Sequence, residues 1–216
     1  MRCKSIFKTF KVDQVNNICK IININEKETS NYLCRKLCLI IDGEYLRIDT
    51  EKIFAKINEI FRDSFYRQNC DGLLISPEKR LVIVIELKTT LNRSKFKKAL
   101  KQMIASFFKI ISLLSLICSD FGSFEPIFIF AFKQRRELSE DEMKNAISLE
   151  EKPPLDSLYE NIQQNLEEST PPLEVIIERI PIENLENFNP NLRKYKVKLI
   201  VLKCETYYLE EILNRC

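Results

Sequence analysis

The sequence predicts an α/β fold: a central mixed β-sheet flanked by helices, with further strands at the C-terminal end. Three stretches carry that prediction. Residues 73–76 and 81–87 are apolar runs separated by Pro77-Glu78-Lys79-Arg80, the pattern of two strands joined by a short turn. The second run, Leu-Val-Ile-Val-Ile-Glu-Leu, is dense in β-branched residues and lacks polar alternation, so it belongs in a strand buried on both faces. A helix is expected over residues 94–117, and residues 126–132, Pro-Ile-Phe-Ile-Phe-Ala-Phe, read as another buried strand. Strand, helix and strand in that order form a crossover, which sets the last strand parallel to the second hairpin strand.

The remaining elements follow in chain order. Residues 1–35 hold short apolar clusters around Phe7, Phe10 and the group Ile21, Ile22 and Ile24, with no assignable element. Leu37, Leu39 and Ile41, then residues 45–48, flank Asp42-Gly43-Glu44 and predict a hairpin. Thr50 reads as the N-cap of a helix in which Ile53, Phe54, Ile57, Ile60 and Phe61 recur at helical spacing. That helix ends near Asp63, and residues 64–68 are expected to form a strand leading into the main hairpin. Between residues 137 and 168 ten acidic residues face only Lys144 and Lys152, and Pro153-Pro154 and Pro171-Pro172 bracket a short helix over 155–166. Strands over 173–182 and 195–203 and a helix over 205–213 complete the chain. The expected organisation is one domain over residues 1–216, with a core at about 50–133, an acidic insert at about 137–172, and C-terminal strands and helix at 173–216.

Composition removes several function classes. The 216 residues are 45% hydrophobic and 30% charged, as in soluble globular proteins, and are enough to bury a full core. Gly43, Gly72 and Gly122 are the only glycines, which excludes Walker and Rossmann phosphate loops and with them a nucleotide cofactor. The absence of histidine excludes Ser-His-Asp chemistry, zinc–histidine sites and histidine bases. Eight cysteines include no C-x-x-C pair, and several lie in apolar runs, so reduced thiols in an intracellular protein are expected. The first twenty residues lack a long apolar core, and the longest apolar segment, residues 103–118, is interrupted by Lys109 and too short to cross a bilayer. A soluble protein with a buried helix there is expected. The formal net charge of +3 conceals a basic core and an acidic insert.

Candidate chemistry lies at the end of the hairpin. Residues two apart on a strand share a face, so Glu86 and Lys88 point the same way, and the hairpin brings Asp71 beside them. Two acids and a lysine at the rim of a buried sheet are costly without a partner. A hard divalent cation, Mg2+ or Mn2+, suits an oxygen-only site. A strand-end salt bridge between Glu86 and Lys88 is the other reading of the same residues. Beyond Lys88, the approach to the long helix and its first half carry Arg93, Lys95, Lys97, Lys98 and Lys101, with no acid between Leu87 and Ser119. These five are candidates for DNA phosphate contacts, a solvated face being the plainer alternative.

Asp71, then Glu86-Leu87-Lys88 on a buried strand, then a basic helix, resembles the PD-(D/E)XK nuclease superfamily, which includes restriction endonucleases, archaeal Holliday-junction resolvases and RecB-like exonucleases. The resemblance covers roughly residues 50–133, and Cys70 stands where many members have proline. It implies a restriction-endonuclease-like fold and Mg2+-dependent hydrolysis of DNA, endo- or exonucleolytic, with resolution of junctions among the activities and a 5′-phosphate on the product. It also implies a homodimer. In the superfamily a glutamate from the preceding helix often joins the metal site; Glu51 is preferred here over Glu59, with Glu44 a further candidate. Gln102 occupies the place of a glutamine that supports the site in resolvase- and RecB-like members. The small size and isoleucine- and lysine-rich composition are similar to the nucleases of spindle-shaped archaeal viruses, which would place the protein in a host cytoplasm. The rival expectation is a catalytically inactive DNA-binding or assembly module on the same fold.

Overall fold

The computed structural model describes residues 13–15, 20–25, 36–42, 44–60, 65, 67–117, 121–135, 159, 172–180 and 190–214. Its elements are β1 (Asp13–Val15), β2 (Lys20–Asn25), β3 (Lys36–Ile41), β4 (Tyr45–Arg47), α1 (Thr50–Ile60), β5 (Gly72–Ser76), β6 (Leu81–Leu91), α2 (Arg93–Ile117), β7 (Glu125–Arg135), β8 (Leu173–Ile176), α3 (Pro190–Arg193), β9 (Lys196–Lys203), β10 (Thr206–Tyr208) and α4 (Leu209–Leu213). The acidic stretch and its expected helix lie outside the described residues, Tyr159 excepted.

Seven strands form one mixed sheet in the order β1-β4-β5-β6-β7-β9-β8. β5 and β6 pair antiparallel from Gly72↔Ile85 to Ser76↔Leu81. The turn between them is closed by Arg80, whose φ of 54° lies in the left-handed region that β-carbon sterics disfavour. β6 and β7 then pair parallel through the α2 crossover, with Glu86↔Phe130 and Lys88↔Phe132. The C-terminal strands extend the sheet as expected: β9 runs parallel to β7, and β8 pairs antiparallel to β9.

β6 is continuously apolar because both of its faces are covered. Leu73, Ile75, Val82 and Val84 point to a layer with Phe128, Phe130 and Phe132, closed by Phe54 of α1 and by Phe96, Met103, Phe107 and Ile110 of α2. Leu74, Ile83, Ile85 and Leu87 face the other way, against Leu37, Leu39 and Ile41 of β3 and Leu209 and Ile212 of α4. Each fully buried side chain of this size contributes about 1.5–3 kcal/mol. Phe107 meets Phe128 and Tyr195 edge-on, with centroids 5.9 and 5.2 Å apart. Truncating it to alanine would cost about 3–5 kcal/mol. α2 is long and apolar enough over Arg93–Leu116 to cross a membrane, but 67% of its apolar window is buried within the fold, as the core helix expected from the sequence would be.

Five local expectations are corrected. Asp42-Gly43-Glu44 does not join a hairpin: β3 pairs with β2 and β10 in a second, three-stranded sheet, while β4 pairs with β1 and β5. The segment carries the chain between sheets, and long-range pairing overrides the local turn signal. Asp49, not Thr50, caps α1, with Oδ1 accepting the Lys52 N–H at 3.2 Å. Phe65 and Arg67 lie in turns, so no strand covers the described part of 64–68. Residues 206–208 form β10 parallel to β3, anchored by the Cys38 N–H donating to the Glu205 carbonyl at 3.0 Å, and only residues 209–213 are helical. Further along, β8 stops at Ile176 and gives way to a 3-10 turn, where residues 173–182 read as one strand.

Candidate functional site

The β5–β6 hairpin builds the site from its open end. Continuing its register one step past Gly72↔Ile85 sets Asp71 opposite Glu86. Alternation puts Asp71, Glu86 and Lys88 on the same face as Leu73, Val82 and Val84, the face that α2 covers. Asp71 accepts the Leu87 N–H on Oδ2 at 2.8 Å. Lys88 donates from Nζ to Glu86 Oε1. Glu86 is completely buried and Lys88 nearly so. On β7 their lateral neighbours are Phe130 and Phe132, so the pair sits in apolar surroundings.

These surroundings set the electrostatics. Burial, then repulsion from Asp71, push the Glu86 carboxyl up to about 8, against the pull of the Lys88 ammonium. Burial raises the Cys70 thiol to about 12, so this cysteine is an inert packing group beside the site. Lys109 is also buried, and desolvation lowers its ammonium to about 8.

Glu86 Oε2 is a buried polar atom without a protein partner. Among the described residues the others are Gln68 Oε1, Gln102 Oε1 and Arg193 Nε. Three of the four are acceptors on residues of the site or of the loop leading to it. Unsatisfied buried acceptors cost about 1–3 kcal/mol each. Two facing carboxylates, one of them with a buried oxygen that has no protein partner, are a donor set that an oxygen-liganded divalent ion would suit. Asp71 and Glu86 are the residues that would hold it, and Mg2+ sites need no more than one or two protein carboxylates.

Gln102 supports this end of the sheet through the backbone, donating from Nε2 to the Asn69 carbonyl at 3.0 Å, two residues before Asp71. Glu51 lies exposed in the first turn of α1, and Glu59 is exposed further along the helix. Among the described residues no group of three or more His, Cys, Asp or Glu converges, so Glu51 does not complete a three-acid cluster. Glu44 is exposed beside β4. The basic residues divide by helical position. Lys95 and Lys98 continue the stripe of Gln102 toward the N-terminus of α2, whereas Arg93 and Lys97 fall on the other side and Lys101 between. Asn92 caps that terminus, accepting the Lys95 N–H on Oδ1 at 2.9 Å.

Sequence reasoning missed the rest of the support. Ser106 accepts the Cys70 N–H on Oγ at 2.8 Å, and Thr50 donates its hydroxyl to the Cys70 carbonyl at 3.2 Å. Lys109 donates to the Gln68 carbonyl at 2.8 Å and to Asn58 Oδ1 at 3.0 Å, and also bonds Asn69 Oδ1. A lone lysine inside an apolar helical run was the available signal. Comparison with protein-family models, with curated proteins and with solved structures returned no match.

Proposed function

We propose that the protein is a Mg2+- or Mn2+-dependent DNA nuclease of the PD-(D/E)XK type, with Asp71, Glu86 and Lys88 at its centre. The observation that carries this reading is the buried Glu86 carboxylate, one oxygen on Lys88 and the other unpartnered, opposite a second carboxylate. A plain strand-end salt bridge accounts for Oε1 but leaves Oε2 buried and unsatisfied, at a cost that leucine at this position would avoid. The antiparallel hairpin followed by a parallel strand through a helical crossover supports a restriction-endonuclease-like core.

Asp71 and Glu86 would hold the ion, which when bound supplies Lewis acidity at a phosphodiester and lowers the pKa of water beside it. The chain's own groups do the rest. The Leu87 N–H fixes one oxygen of Asp71, so its carboxylate is oriented before anything binds. Lys88, held by Glu86 and shielded from water, presents a cation where negative charge grows on the scissile phosphate, and a preorganised donor in such surroundings is worth far more than in water. Lys95 and Lys98 would bind flanking phosphates. Among the described residues Cys38, Cys70 and Cys204 form no disulfide, which suits a cytoplasmic enzyme, in a host cell for a viral source. A homodimer would pair two such sites for cutting two strands.

Among the described residues two carboxylates converge and no third joins them, which favours one second reading: a DNA-binding or assembly module on the same fold that does not cleave. Labelled duplex, single-stranded and four-way-junction DNA, incubated with Mg2+, Mn2+ or EDTA, separates the two. Metal-dependent cutting of any of the three supports the nuclease, and the preferred substrate distinguishes resolvase from exonuclease. Tight, salt-sensitive binding without cutting supports the module.

A further inference from the structure

We propose that Lys109 is a positioning residue for the ion site, bracing the loop that presents Asp71. This inference rests on reading Asp71 and Glu86 as ion ligands.

Residues 68–70 have no strand partner, so their backbone groups need other acceptors and donors. One stripe of α2 meets that need. Gln102, Ser106 and Lys109 stand four and then three residues apart, on one face of the helix. Each takes hold of one backbone group of the loop: Gln102 the Asn69 carbonyl, Ser106 the Cys70 N–H, and Lys109 the Gln68 carbonyl. Lys109 reaches furthest, because it also binds the side chains of Asn69 in the loop and Asn58 in α1. Asn58 in turn donates to Asn69 Oδ1 at 3.3 Å. One ammonium thus ties α2, α1 and the loop together, and Asp71 leaves that knot two residues later.

The choice of lysine needs a reason beyond packing. Its sequence neighbours Phe108 and Ile110 are apolar, its ammonium sits 4.5 Å from the Phe54 ring centroid, and its hydrogen-bond acceptors are neutral amide oxygens. A buried ammonium with no carboxylate among those acceptors is costly, and leucine or methionine would fill the same volume. What an apolar residue would not do is fix the Gln68 carbonyl and the Asn69 side chain at once. The strand side of Asp71 is already fixed by the Leu87 N–H. Lys109 fixes the loop side, so the carboxylate is held from both directions.

The test is Mn2+ binding to the full-length protein, followed by the electron-paramagnetic-resonance signal of free Mn2+. Wild type, Glu86→Ala and Lys109→Met are compared, with circular dichroism and thermal melting as controls for the fold. The expected result is binding in wild type, loss in Glu86→Ala, and at least tenfold weaker binding in a folded, cooperatively melting Lys109→Met protein. Wild-type affinity in folded Lys109→Met overturns the positioning role and leaves the ion site standing. If Lys109→Met does not fold, Ser106→Ala decides: several-fold weaker Mn2+ binding supports the brace, and unchanged binding overturns it. If wild type binds no Mn2+, or Glu86→Ala binds it equally well, the ion site falls and this inference falls with it.

Discussion

Asp71 accepts the backbone N–H of Leu87 on Oδ2 at 2.8 Å, so the acid that precedes one strand is fastened to the strand that carries the other acid. The carboxylate is both a hairpin lock and a candidate ligand, and its two roles can be separated. Asp71→Asn keeps an acceptor for the Leu87 N–H, whereas Asp71→Ala leaves that donor without one. Both variants should lose metal-dependent cleavage. In urea denaturation with EDTA, Asp71→Ala should lose about 1–3 kcal/mol and Asp71→Asn clearly less. Equal destabilisation would show that the lock contributes nothing.

Glu86 makes the metal-free protein sensitive to pH. Its folded pKa of about 8 lies above the ordinary 4.5, so the folded state holds a proton that the unfolded state releases between those values. The associated stability is fully present below about pH 4.5 and is lost as pH rises through 8. Denaturation in EDTA should therefore show lower stability at pH 8 than at pH 5.5 from this group, and Glu86→Gln should flatten the difference. Lys109 acts in the next window with the opposite sign. Its lowered pKa means that stability rises from about pH 8 to 10.5.

Lys88 should act on the transition state and not on DNA affinity. Lys88→Met keeps the aliphatic stem and removes the charge. Cleavage is expected to fall by roughly 10²–10³-fold, the scale seen when one preorganised donor is removed. DNA binding in EDTA should be unchanged, because this nearly buried ammonium is occupied by Glu86. A parallel loss of binding would move Lys88 from chemistry to substrate contact.

Of the five basic residues at the start of α2, Lys95 and Lys98 share the stripe of Gln102, so they are expected to contribute more to DNA binding than Arg93 or Lys97. Each phosphate contact removed should lower the slope of log K against log salt by about 1. Titration of Lys95→Ala and Lys98→Ala over a range of salt measures this. Larger effects from Arg93→Ala and Lys97→Ala would put the DNA on the other side of the helix.

The hairpin and its acids were legible because their signals are local. The continuous run before Glu86 requires burial on both faces, and the two-residue period puts Glu86 and Lys88 together. The α2 crossover was legible for the same reason, as a long apolar segment between two buried strands. Ser106 and Lys109 were not legible as support, since nothing local says that one stripe of a buried helix will meet a loop that lacks a strand partner. The separation of β3 from β4 was equally hidden. It depends on pairing between β3 and β10, whose Leu39↔Tyr207 register spans most of the chain, while Asp42-Gly43-Glu44 suggests a turn at short range. β10 itself is three residues long, too short for any periodicity to appear.

The central claim is that Glu86 is an ion ligand and not half of a structural salt bridge. The most direct measurement is cleavage of labelled DNA by wild type and Glu86→Ala, in parallel, with Mg2+ or Mn2+ and with EDTA. Metal-dependent cutting by wild type, abolished by EDTA and by Glu86→Ala in a protein that still folds, is the expected result. Cutting by Glu86→Ala at the wild-type rate, or no cutting by wild type on any of the three DNA substrates, contradicts it.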